Sequence, residues 1–169
     1  MTKSILNGKM ILAVDDEPDV LEVLGEEILA ACPNCTLDKA TTYKEAAERM
    51  ASWTYELVIL DIMGVRGFNL LKIAVAHNFP VLMLTAHALD PEALKRSIEM
   101  GARAYLPKEK LGKIVPFLED VLKYENLTGW SRLLENLKGF FNARWGENWK
   151  KVDESFWKDF DSKTAFIKK

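Results

Sequence analysis

Residues 55–71 read YELVILDIMGVRGFNLL. Leu57, Val58, Ile59 and Leu60 form a short, unbroken apolar run rich in branched side chains, the pattern of a strand buried on both faces. The run stops on an acid, Asp61. Gly64 and Gly67 mark a turn, and an apolar helical pattern begins at Phe68. An acid that ends a central strand and opens the loop to a helix lies where open α/β sheets bind their ligands. An acid there can equally cap the next helix or hold loop amides, so its role turns on what the other strands carry at the same end.

Four more apolar runs flank this one. Met10–Val14 (MILAV) ends in Asp15-Asp16-Glu17, and Pro18 suits the first turn of the helix that Val20, Leu21, Leu24, Ile28 and Leu29 imply before the Cys32-Pro33 break. Residues 35–40 alternate enough for a second strand. Thr42-Tyr43-Lys44-Glu45 fits a capping box opening a helix whose packing face is Ala46, Ala47, Met50 and Ala51. After residues 57–60, the helix of Leu70, Leu71, Ala74 and Val75 breaks near Asn78. Residues 81–84 (VLML) are a fourth buried run, ending in Thr85-Ala86-His87. Asp90-Pro91 starts a helix through Leu94 and Ile98 that Gly101 stops. Residues 104–106 are a short fifth strand ending in Pro107-Lys108. Leu111, Ile114, Val115, Leu118, Val121 and Leu122 give a last helical stripe, which starts or kinks at Pro116. Five alternations of strand and helix predict an α/β fold, a five-stranded parallel doubly wound sheet with helices on both faces. Right-handed crossovers bring the carboxyl ends of the strands to one edge.

The whole chain bounds the function. Its 169 residues suffice for a domain plus an appendage, and 49% hydrophobic content supports a core. A net charge of −2 gives no electrostatic case for nucleic acid or an anionic membrane. Residues 1–125 carry 14 Lys+Arg against 19 Asp+Glu, and residues 126–169 carry 9 against 6. No apolar run approaches membrane-spanning length, and the N-terminus lacks a signal-peptide cleavage pattern, so a cytoplasmic setting is expected. Cys32 and Cys35 follow a predicted helix and precede a strand, the wrong context for a thioredoxin-type C-x-x-C, and they are read as two ordinary thiols.

The predicted edge gathers Asp15, Asp16, Asp61, Thr85 and Lys108. Two carboxylate charges about 4 Å apart repel by roughly 4 kcal/mol at an effective dielectric near 20. Three of them together need a divalent cation, a shared proton or a lysine. Oxygen ligands suit Mg²⁺, Lys108 supplies opposite charge, and the Thr85 hydroxyl can donate to an oxyanion. Such a pocket can bind a phosphoryl group or receive one on a carboxylate.

The motifs VDDEP at 14–18, LVILDIM at 57–63, VLMLTA at 81–86 and GARAYLPK at 101–108 resemble the receiver domain of two-component response regulators, a flavodoxin-like fold, over roughly residues 9–125. The resemblance implies a phosphorelay protein in which Asp61 takes a phosphoryl group from the phosphohistidine of a sensor histidine kinase or phosphotransfer protein. It implies Mg²⁺ held by Asp16 directly, by Asp15 largely through water, by Asp61 and by the backbone carbonyl of Met63. Thr85 and Lys108 would engage the acyl phosphate, and Tyr105 would be a switch aromatic. The chain departs from the family in a shortened loop after Asp61, with Gly67 about two residues early, and in Glu109 after Lys108, which excludes a proline cis bond there. Met63 and His87 flank the site, and an apolar Met63 should hinder the water that attacks the acyl phosphate.

Residues 126–169 form an aromatic-rich C-terminal helical extension holding four of the five tryptophans. Trp130, Leu133, Leu134, Leu137 and Phe141 share one face of a helix of roughly 15 residues, which Gly146 ends. Asp153-Glu154 opens a second helix with Phe156, Trp157 and Phe160, and the chain closes on Lys168-Lys169. Two short helices cannot bury such aromatics alone, so they dock on the receiver, on a second copy in a homodimer, or on a protein partner. A 44-residue segment of weak positive charge disfavours a nucleic-acid output. Two rivals remain: a Mg²⁺-dependent phosphohydrolase using Asp61 as nucleophile, which would want a second acid where Met63 stands, and a non-phosphorylated pseudo-receiver binding module.

Overall fold

The structure, a computed structural model, describes residues 4–86 and 90–165; His87 and Lys168-Lys169 lie outside them. The sheet domain runs β1 (Met10–Val14), α1 (Pro18–Ala31), β2 (Thr36–Ala40), α2 (Tyr43–Ser52), β3 (Leu57–Asp61), α3 (Gly67–Ala76), β4 (Val81–Thr85), α4 (Pro91–Glu99), β5 (Ala104–Pro107), a 3₁₀ segment at Lys108–Lys113, and α5 (Ile114–Lys123). All strand pairs are parallel, in the order β2-β1-β3-β4-β5. The order reverses between β1 and β3, and there the sheet opens a crevice at its carboxyl edge. Every residue of β3 and β4 is buried, as their unbroken apolar runs require. β2, at the edge, is half-exposed.

The local start and stop signals act as read, with one refinement. Thr42 Oγ1 accepts from the Glu45 amide at 3.1 Å, but the Glu45 carboxylate accepts from Thr41 N, one residue before the cap, at 3.0 Å. Asp90 caps α4 by accepting from Ala93 N at 2.9 Å. Pro116 is the third residue of α5, where the amide it lacks has no helical acceptor, so it sits in the first turn of a helix that starts at Ile114.

The extension corrects one expectation. In place of a single helix through Phe141, α6 (Asn126–Asn136) and α7 (Lys138–Trp145) meet at Leu137, whose φ of −102° and ψ of 7° leave helical geometry. The hydrogen bonds Leu137 N to Leu133 O and Phe141 N to Leu137 O persist across the junction. Before the bend Trp130, Leu133 and Leu134 are buried, and beyond it Phe141 lies 6.1 Å from the ring of Tyr105 on β5. Gly146, with φ of +88°, ends α7 in a conformation that glycine adopts at little cost. A 3₁₀ turn at Trp149–Asp153 leads into α8 (Glu154–Thr164), with Trp157 and Phe160 buried.

The aromatics of the extension find their interior against the receiver. Trp130 is fully buried and its indole donates to Ala102 O at 2.9 Å, just ahead of β5. Phe141, Trp145, Trp149, Trp157 and Phe160 form a chain of ring contacts with centroids 4.7–6.1 Å apart. Polar pairs fasten the margins: Lys95 to Asp153, Arg132 to Asp120, and Arg144 to Glu109. The extension thus packs on the sheet domain, the first of the three docking alternatives.

Candidate functional site

The crevice collects the side chains that the sequence places at the carboxyl edge. Asp15 follows β1 directly and is fully buried; Asp61 ends β3 with 3% of its surface exposed; Asp16 beside them is exposed. One carboxylate oxygen from each lies within 4.8 Å of the others. Lys108, the first residue after β5, reaches in with Nζ 2.7 Å from Asp15 Oδ2 and 3.2 Å from Asp61 Oδ1.

Burial sets the electrostatics. It raises the Asp61 carboxyl most, the charge of Asp15 adds to the rise, and Lys108 opposes it, leaving the acid pushed up to about 6. Asp15 is raised too, by burial, with Lys108 and the Glu17 amide pulling the other way. Burial alone would lower Lys108, but the hydrogen bonds to Asp15 and Glu17 and the charge of Asp61 outweigh it and raise the ammonium. Burial and the neighbouring carboxylates raise both acids against the opposing pull of Lys108, as in an anionic pocket short of positive charge. Three carboxylate oxygens at this spacing fit a hard cation that keeps some of its water, and magnesium is the ordinary choice.

The loop from Asp61 to α3 is compressed and depends on two glycines. Val65 N donates to Met63 O at 2.6 Å, closing a three-residue turn around Gly64, whose φ is +70°. A Cβ on Gly64 would stand 2.5 Å from Asp16 Oδ1, so the glycine makes room for that carboxylate. A Cβ on Gly67 would stand 2.1 Å from the Asp61 carbonyl oxygen, so α3 can begin this close to the strand only with glycine there. The early Gly67 is thus the means by which the short loop closes. The Met63 carbonyl retains a second lone pair, and the Met63 side chain is 60% exposed.

Thr85, the last residue of β4, is fully buried, its hydroxyl 3.3 Å from Ala86 O. Tyr105 is fully buried on β5. Its hydroxyl has no partner of good hydrogen-bond geometry among the described residues, and the Thr85 side chain is its polar neighbour. Burial drives the phenol pKa upward. The ring of Phe141, from α7, lies 6.1 Å away.

Two features escape sequence reasoning. Glu17 Oε1 sits 3.0 Å from Lys108 Nζ, making a third carboxylate on that lysine. The run Asp15-Asp16-Glu17 displays the residue, but as the residue before Pro18 it reads as a helix lead-in. The second is the approach of Phe141 to Tyr105, which follows the bend at Leu137.

A family model, described as the response regulator receiver domain, matches residues 11–116. The chain belongs to this family. Among curated relatives, the two-component response regulator ARR18 of Arabidopsis thaliana is 35% identical over 132 residues, covering 75% of this chain and 20% of its own length. The regulatory protein VanRB of Enterococcus faecalis is 35% identical over 101 residues, 58% of this chain and 44% of that one. The chain therefore spans about a fifth of the length of the first relative. A crystal structure of a two-component response regulator from Clostridium difficile superposes with a TM-score of 0.61 at 21% identity, covering 68% of this chain and 96% of that one, a likeness of fold. The five-stranded parallel α/β sheet expected from the sequence is the one observed.

Proposed function

We propose that this receiver is a phosphoacceptor switch in which Asp61 accepts a phosphoryl group from the phosphohistidine of a sensor histidine kinase or phosphotransfer protein. The observation that carries the reading is one ammonium, Lys108, bridging Asp15 and the strand-end Asp61, beside the exposed Asp16. In the transfer an Asp61 carboxylate oxygen bonds to phosphorus as the phosphorus–nitrogen bond of the donor breaks. The imidazole leaves with the electron pair and takes up a proton. Lys108 neutralises the phosphoryl oxygens and the Thr85 hydroxyl donates to one of them. Asp15, Asp16, Asp61 and the Met63 carbonyl would hold Mg²⁺, which when bound offsets the charge of carboxylate and phosphate. Residues 1–125 make the phosphoacceptor unit and residues 126–169 its appendage.

Met63 stands where a second acid would serve a phosphohydrolase, so the site suits acceptance without turnover. The apolar side chain also offers no hydrogen bond to an attacking water, and the acyl phosphate should be long-lived; rapid spontaneous decay would contradict this. We place the protein in the cytoplasm, where kinases of this kind work; no helix among the described residues is long and apolar enough to cross a membrane. The test is incubation with acetyl phosphate and Mg²⁺ followed by intact-mass measurement. The expected result is one phosphoryl adduct, not formed when Mg²⁺ is chelated beforehand and absent from Asp61→Asn. An unmodified wild type overturns the assignment.

A further inference from the structure

Among the described residues, a cavity of about 190 Å³ lies inside the extension, walled by α6, α7, α8 and the turn at residues 147–150. Its floor is apolar: Leu134, Trp149 and Phe160 line it, and all three are buried. The volume falls below the roughly 300–1,000 Å³ of sites for drug-sized ligands, which limits an occupant to a molecule of amino-acid size.

Three donors border this cavity without a protein acceptor. Ser131, on α6, is only 5% exposed, yet its hydroxyl makes no hydrogen bond among the described residues. Ser97 and Thr164, buried in α4 and α8, behave otherwise: each donates to the carbonyl four residues before it, at 2.8 and 3.0 Å. A buried hydroxyl that forgoes such a bond is costly unless another group takes it up. Asn142, on α7, accepts the Trp149 indole N–H on Oδ1 at 3.1 Å, so its NH₂ group is what remains to offer. Lys138 lines the cavity and has no ion pair among the described residues. Glu135 and Glu147 are unpaired in the same way, whereas Asp161 has Lys150 Nζ 3.6 Å from its Oδ1.

A hydroxyl, an amide NH₂ and an ammonium make a donor set for a carboxylate. Two unpaired carboxylates accept an ammonium, and the aromatic floor takes a hydrocarbon body. We propose that the extension binds a free α-amino acid with a branched or aromatic apolar side chain. Its carboxylate would meet Lys138, Asn142 and Ser131, its ammonium Glu135 and Glu147, and its side chain Trp149 and Phe160. A plain monocarboxylate would meet the repulsion of both glutamates uncompensated, and a plain amine would leave the buried hydroxyl idle. The cavity stands apart from the carboxylates at the sheet edge, so the proposal holds whether or not Asp61 accepts a phosphoryl group.

The experiment titrates the ¹⁵N-labelled full chain with L-leucine, and with leucinamide and 4-methylpentanoate, which lack the carboxylate and the ammonium respectively. Expected with leucine is a saturable shift of the Asn142 side-chain amide and Trp149 indole resonances. Either analogue should bind about tenfold more weakly or worse, as the loss of a hydrogen bond to a charged group requires. Lys138→Gln, an exposed change, should weaken leucine binding by about the same factor. Ser131→Ala should weaken it too, yet leave the melting temperature of the ligand-free protein unchanged or higher, because the lost hydroxyl serves no bond in the fold. No saturable shift with leucine overturns the proposal. So does 4-methylpentanoate binding as tightly as leucine, or unchanged affinity in Lys138→Gln. A lower melting temperature of ligand-free Ser131→Ala would show that the hydroxyl serves the fold, and overturns its assignment to a ligand.

Discussion

The rim of the sheet and the extension are built from opposite materials. At the rim, buried carboxylates and a partly buried lysine arrive from strand ends that lie up to 93 positions apart, Asp15 to Lys108. In the extension, large aromatics pack within 40 residues of one another and charge appears only at the margin. The rim holds groups that water would solvate better, and the extension holds groups that water expels. The candidate site therefore sits where the fold is under electrostatic load, and the apolar packing sits where it is not. Damage to the extension should cost more than neutralisation of the rim, which should help.

The largest effect expected is at Trp130. Replacing this fully buried indole by alanine should destabilise the protein by about 3–5 kcal/mol in chemical denaturation. Trp130→Phe should lose about 1–2 kcal/mol, because the Ala102 carbonyl then lacks its donor. Near-silent variants would show that the extension lies on the receiver without being part of its core, and the contrast would fail.

Second comes Gly67→Ala. The clash with the Asp61 carbonyl involves backbone on both sides and no flexible side chain that could yield. A loss of about 2–3 kcal/mol is expected, with weaker Mg²⁺ binding because Asp61 must shift. This marks the one part of the rim that carries stability, its backbone frame. Unchanged stability would mean that the loop has slack.

Third, and opposite in sign, Asp61→Asn should stabilise the Mg²⁺-free protein by on the order of 1–2 kcal/mol at pH 8. With its acid pushed up to about 6, above the ordinary 3.8, folded Asp61 holds its proton more tightly than the unfolded chain does. Its contribution to stability is thus complete below the unfolded value and is lost as the pH rises through about 6. The asparagine chain is spared that loss, so its advantage should appear between roughly pH 4 and pH 7 and then level off. Adding Mg²⁺ should raise the wild-type melting temperature and leave the variant nearly unmoved. A destabilised Asp61→Asn would mean that the ion pair with Lys108 outweighs the desolvation of the acid.

How much of this was legible follows from the range of the forces. Strand runs, Asp90 capping α4, and Gly101 and Gly146 at helix ends are local, and a few residues announce them. Asp15, Asp61, Thr85 and Lys108 were legible because parallel topology alone carries strand ends to one edge. Glu17 was not, since its role depends on a rotamer reaching a lysine 91 positions away. The bend at Leu137 was not, because the apolar spacing through Phe141 continues unbroken and the demand for a bend comes from β5. The aromatic spacing predicted burial but was silent about against what. The two thiols read as ordinary are free and buried, and Cys35 is pushed up to about 11 by burial and by Cys32 beside it, which keeps it protonated and unreactive.

The smallest expected effect concerns the charged margin of the extension. Arg132 Nε stands 3.4 Å from Asp120 Oδ2, and its guanidinium lies 4.3 Å from the centroid of Tyr124, with nearly half of the side chain in solvent. At that exposure the ion pair is screened and its side-chain entropy opposes it, so Coulomb attraction contributes only about 0.2–1 kcal/mol. The aliphatic stem and the flat cation over the ring supply the rest of the contact. Arg132→Met keeps the stem and removes the charge, and should change stability by less than about 0.5 kcal/mol. Arg132→Ala removes both and should cost more. If methionine is as harmful as alanine, or if added salt undocks α6, charge holds the extension in place. The two regions would then differ in exposure and not in kind.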